Sequence, residues 1–155
     1  RGHLVLTEKD NEIIQRHKYA FLIISMNPVS SEFAGTKPIN AAMRRRMSVW
    51  LNFDYMSVGS KIDEKEIDLL IKKTNGLSRQ EAEIIVKVGA ELRKQYKAGD
   101  LPYGPSVGDL LNWALLISDG ASLKDAAEET IISLTSDDVE VQEMARKIIC
   151  KIAGI

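Results

Sequence analysis

The sequence predicts an α+β chain that is mostly helical, with a small α/β piece followed by a five-helix bundle. Three observations predict it. Serine is followed three residues later by an acid at Ser60-x-x-Asp63, Ser78-x-x-Glu81, Ser106-x-x-Asp109 and Ser122-x-x-Asp125, each ahead of an apolar-periodic run. A serine hydroxyl accepts from a free backbone N–H at a helix start, and the acid answers it or favours the helix dipole. Residues 19–25, YAFLIIS, form a continuous apolar run with β-branched and aromatic side chains, which suits a strand buried on both faces. Residues 4–6 and 12–15 flank the polar stretch TEKDN and read as a β-hairpin.

Taken in order, the hairpin leads into the apolar strand, which turns polar at Asn27. PINAAMRRR (38–46) then reads as one short helix that closes on Arg44, Arg45 and Arg46. SVWLNFDY (48–55) alternates Val49, Leu51, Phe53 and Tyr55 against Ser48, Trp50, Asn52 and Asp54, the pattern of a half-buried strand. SVGS (57–60) reads as a linker. Helices follow near 62–73, 78–97, 107–118, 123–133 and 137–152, the last opened by Ser136 before Asp137 and Asp138. The second carries Ala82, Ile85, Val86, Gly89 and Leu92 on one face, and the third Leu110, Leu111, Ala114, Leu115 and Ile117. The last carries Val141, Met144, Ala145, Ile148, Ile149 and Ile152. Stripes this wide must pack on neighbours. The expected domains are 1–56 and 60–155.

Composition narrows the function. The 155 residues are 45% hydrophobic and 28% charged, enough to bury a core. No apolar run reaches the roughly 18 residues of a membrane span, and the opening residues carry no signal-peptide pattern. One cysteine, Cys150, and two histidines, His3 and His17, leave no disulfide and no Cys-rich metal site. The expected setting is a reducing cytoplasm, with no membrane partner and no bound metal. Net charge is −1, which argues against a nucleic-acid partner. The charge is uneven: residues 1–60 hold 8 basic and 5 acidic residues, and residues 61–155 hold 13 and 17. The chain opens on Arg-Gly rather than Met, so a piece of a longer protein is expected.

The stretch FLIISMNPVSSEFAGTKPINAAMRRRM (21–47) resembles the region of MoxR-type AAA+ ATPases around sensor 1 and the arginine finger. The matching features are Ser25-Met26-Asn27-Pro28, then Gly35, then Ile39-Asn40-Ala41-Ala42-Met43, then Arg46-Met47. The hairpin ahead of it is similar to the pre-sensor-1 hairpin of that clade. GPSVGDLLNWALLISDG (104–120) is similar to the sensor 2 region, with Gly108 where the family has an arginine. SLTSDDVEVQEM (133–144) resembles the end of the branch that includes the CbbQ, NirQ, NorQ and GvpN ATPases. No G-x-x-x-x-G-K-[ST] and no apolar strand ending in Asp-Glu occurs, so Walker A and Walker B are missing from this chain.

The resemblance implies the C-terminal part of an AAA+ α/β core followed by a helical lid. It implies an intact protein that binds ATP and Mg, hydrolyses ATP as a ring, expected to be a hexamer, and remodels or activates a client protein. The missing N-terminal ATPase portion and a von Willebrand factor A-type protein are the other implied partners. Asn27 would orient the attacking water, and Arg46 would act as the finger on a neighbouring subunit's nucleotide, with Arg44 as second candidate. This chain alone, without a phosphate loop, is expected to hold no nucleotide and to hydrolyse none. The alternative is a non-catalytic interaction or scaffold domain of AAA+ shape, favoured by Gly108 and the missing Walker motifs.

Without the resemblance the same residues read more plainly. Asn27 after a strand is a turn or cap residue, and Arg44–Arg46 are a solvated helix end. His17 reads as structural, Trp113 as core, Cys150 as an inert buried thiol, Trp50 as a subunit contact or lid contact, and Tyr55 and Tyr103 as packing residues.

Overall fold

The computed structural model describes residues 2–26 and 39–155. Asn27 and Gly35 lie outside the described residues. The architecture is α+β and mostly helical, and the chain divides into two compact units, Arg1–Leu51 and Asn52–Ile155.

In the first unit, β1 (His3–Leu6) and β2 (Glu12–Gln15) pair antiparallel, with Leu4 opposite Ile14 and Val5 opposite Ile13. The reversal uses Asp10 and Asn11 at φ of 47° and 61°. These side chains tolerate the left-handed region because they can bond their own backbone. A four-residue helix, α1 (Ala41–Arg44), follows; the Asn40 side chain caps it by accepting from the Ala42 N–H at 2.7 Å.

The two further strands expected at 19–25 and 48–55 are not formed. Phe21 and Ile23 are 91% and 89% exposed. An apolar run marks a segment that gains from burial, but a strand also needs neighbours for its N–H and C=O groups. Among the described residues the one sheet is the β1–β2 pair, and nothing pairs with either stretch.

The second unit is the helical bundle. It contains α2 (Glu64–Lys73), α3 (Arg79–Ala98), α4 (Val107–Ser118), α5 (Leu123–Ala127), α6 (Ser133–Thr135) and α7 (Val139–Ala153). A π turn (Glu128–Ile132) joins α5 to α6 without a break, so the last five expected helices are all present. Thr130 and Ser133 hydroxyls donate to the carbonyls of Ala126 and Glu128 along this turn. α3 is the central element, packing on α2, α4 and α7. Its Ile85, Val86 and Leu92, with Ile67, Leu70, Leu110, Trp113, Ile131 and Ile149, make one continuous core.

Capping follows the serine pattern with two corrections. Ser78 and Ser106 form full capping boxes with Glu81 and Asp109, and Ser122 accepts from the Asp125 N–H. Ser60 caps nothing: Asp63 itself caps α2 by accepting from the Lys65 N–H at 3.0 Å. Likewise Asp138, not Ser136, caps α7. An aspartate beside the helix start reaches the free N–H groups more directly than a serine several residues back. Residues 57–60 are packed rather than loose. Ser57 is buried, Val58 bridges to Lys61, and the Gly59 N–H donates to the Ala90 carbonyl at 2.7 Å.

Candidate functional site

Of the residues the sequence singles out, Arg44 and Arg46 lie in the first unit and Gly108 in the second; Asn27 lies outside the described residues. Arg44 is the last residue of α1, and its guanidinium lies 5.3 Å from the centroid of the Trp50 ring. This cation–π contact gives the half-exposed Trp50 a local role. Arg46 follows in the turn, held by its N–H to the Met43 carbonyl at 3.0 Å. Its side chain is exposed and makes no ion pair with any described residue. His17 is exposed and accepts from the Tyr19 N–H at 3.3 Å, a local turn contact.

The start of α4 is the best-defined polar site. Ser106 and Asp109 exchange bonds: the Ser106 N–H donates to Asp109 Oδ2 at 2.7 Å and the Asp109 N–H to Ser106 Oγ at 3.3 Å. The Tyr103 hydroxyl donates to the same Oδ2 at 2.7 Å. Burial, then the Asp109 carboxylate, raises the Tyr103 hydroxyl well above the usual phenol value, so it stays protonated and donates. The positive end of the α4 dipole is thus answered by the helix's own carboxylate. Gly108 is exposed beside it and brings no cation. A side chain there would meet only Ser106 Oγ at 3.4 Å, so the backbone has room for the arginine that is absent.

Behind this helix start lies a buried polar node that motif reading did not find. Arg93 and Glu66 are both 0% exposed. Arg93 Nη2 and Nη1 fork onto Glu66 Oε1 and Oε2 at 2.9 and 3.1 Å. Its Nε donates to the Pro105 carbonyl at 2.7 Å, and Nη1 also to the Ser57 carbonyl at 3.1 Å. The guanidinium carbon sits 4.8 Å from the Tyr55 ring centroid, and the Tyr55 hydroxyl donates to the Gly104 carbonyl at 3.0 Å. Gly104 is required by close approach, since a Cβ would lie 2.7 Å from Tyr96 Cδ1 and 3.1 Å from the Tyr55 oxygen. The available sequence signal is that Glu66 and Arg93 are charges set on otherwise apolar stripes.

Trp113 is fully buried, and its Nε1 donates to the Leu123 carbonyl at 3.0 Å. Cys150 is half-buried rather than buried and lines a cavity of about 390 Å³ between α5, the π turn and α7. That cavity gathers none of the candidate site residues. Among the described residues no group of three or more His, Cys, Asp or Glu could hold a metal ion, and no helix is long and apolar enough to cross a membrane.

The chain belongs to the CbbQ/NirQ/NorQ C-terminal family, whose model matches residues 66–152, from α2 to the end of α7. It therefore carries the C-terminal portion of a MoxR-type AAA+ protein. A search of curated proteins gave no match.

Proposed function

We propose that this chain is the sensor 1, finger and lid portion of an ATPase that works as a ring, expected to be a hexamer, and spends ATP hydrolysis on remodelling or activating a client protein. The observation that carries this reading is the order of Asn27, Gly35, Asn40 and Arg44–Arg46 immediately ahead of a CbbQ-type C-terminal domain. Phosphoryl transfer asks little covalent chemistry of a protein, so its catalysts are groups that position water and stabilise charge. Asn27 would do the first and Arg46 the second, across a subunit boundary. The exposed Arg46 side chain, which makes no ion pair among the described residues, supports its choice over Arg44, which is engaged with Trp50. ATP and Mg would be held by a phosphate loop that this chain does not contain. The client and any von Willebrand factor A-type partner belong to the same proposal, as does a cytoplasmic setting.

The test is ATP hydrolysis by the protein that joins this chain to its phosphate-loop portion. Arg46→Ala is expected to lower the rate by roughly 10³–10⁵-fold, the range seen for such fingers. Arg44→Ala should cost far less, and the present chain alone should hydrolyse nothing. Absence of nucleotide binding in the joined protein would overturn the reading.

A specific observation favours a second reading, a ring component that is shaped like an ATPase but is not one. The α4 start offers no cation and already carries the Asp109 carboxylate, which repels phosphate. On this reading the joined protein binds its partner with or without ATP.

A further inference from the structure

We propose that Tyr55 and Arg93 are positioning residues that couple the segment entering the helical unit to the start of α4, so that the two move as one piece. The node described above reaches three stretches distant in sequence. Arg93 holds the carbonyl of Ser57 on the entering segment and that of Pro105 on the loop before α4. Tyr55, itself on the entering segment, holds the neighbouring carbonyl of Gly104. Glu66 on α2 neutralises the guanidinium and fixes its plane.

Stability alone does not account for this construction. Replacing a buried ion pair with apolar side chains of similar volume is often neutral or stabilising, because two charges no longer have to be desolvated. What apolar packing cannot supply is direction. Two hydrogen bonds from one planar group, itself oriented by two more to Glu66, and one from the Tyr55 phenol hold three carbonyls at fixed angles. Gly104, pinned between Tyr96 and Tyr55, leaves the loop no slack. A shift of the α4 start would thus be carried to Tyr55 and Ser57 on the entering segment. The purpose of that coupling rests on the lid reading above; the coupling itself is a property of this chain.

The experiment is amide hydrogen exchange on the 155-residue chain and its Tyr55→Phe variant. The variant keeps the ring over Arg93 and loses the hydroxyl that bonds Gly104. Val58, Gly59 and Asp63 report the entering segment, since their N–H groups donate to Lys61, Ala90 and Ser57. Ser106, Asp109 and Leu110 report the start of α4. Rates are read relative to Ile149 in α7, so a general loss of stability cancels. Coupling predicts that both groups exchange faster by a similar factor, about three- to tenfold for one neutral hydrogen bond. Acceleration confined to Ser106, Asp109 and Leu110, or none in either group, would overturn the proposal. Neither outcome depends on ATP hydrolysis, so failure here and failure of the lid reading are told apart.

Discussion

Glu81 accepts from both the N–H and the hydroxyl of Ser78, at 2.8 and 2.6 Å. The hydroxyl bond is the larger cause of a carboxyl held below the ordinary glutamate value of 4.5. A depressed folded-state pKa stabilises the fold fully above the unfolded value and ceases to do so as pH falls through the folded one. Acidification from about pH 6 to about pH 3 should therefore weaken the α3 cap, and Glu81→Gln should flatten that part of the stability curve. Chemical denaturation across this range checks it; a variant with an unchanged acid slope would show that Glu81 does not contribute. The Ser78–Glu81 box was legible because both partners lie within one turn. The Arg93–Glu66 node was not, because its partners are 27 residues apart. Glu66 stands beside Ile67 and one turn before Leu70, and Arg93 one turn after Gly89, so each charge was visible on a stripe. That the two meet is set by how α2 packs on α3, which local spacing does not encode.

Helices and strands were unequally legible for a physical reason. A helix satisfies its backbone within itself, so caps and apolar period suffice to place α2, α3, α4 and α7 to within two residues or so. A strand depends on a neighbour, and residues 19–25 and 48–55 read as strands while pairing with nothing described. The hairpin succeeded because its turn brings the partner along. At this scale the tightest constraint is Gly89, where α3 meets α4. An added Cβ would lie 2.6 and 2.9 Å from the two methyl carbons of Leu110. Gly89→Ala would gain up to about 1 kcal/mol in helix propensity against about 1–3 kcal/mol for overpacking a filled core. A net loss is expected in urea denaturation, with recovery when Leu110→Val is added. A variant more stable than the parent would show that α4 can retreat.

At the scale of the molecule, every buried apolar core side chain among the described residues belongs to Asn52–Ile155. The first unit instead exposes Phe21, Leu22, Ile23, Val49 and Leu51. Exposed apolar side chains of this kind favour association. A chain of residues 52–155 should keep the parent's thermal transition within a few degrees and self-associate less than the full 155 residues in sedimentation. A large drop in Tm would show that the first unit supports the bundle. The family match was foreshadowed by residues 104–144, within the bundle. The candidate catalytic residues lie outside the matched range, so resemblance and spacing alone carried them. The concentration of the core in one unit also has an experimental use. A thermal screen of this protein would be nearly blind to damage in its first 51 residues. A turnover loss from a substitution at Arg44 or Arg46 in the joined protein therefore needs a local probe of the first unit beside it, because an unchanged Tm would not report damage there.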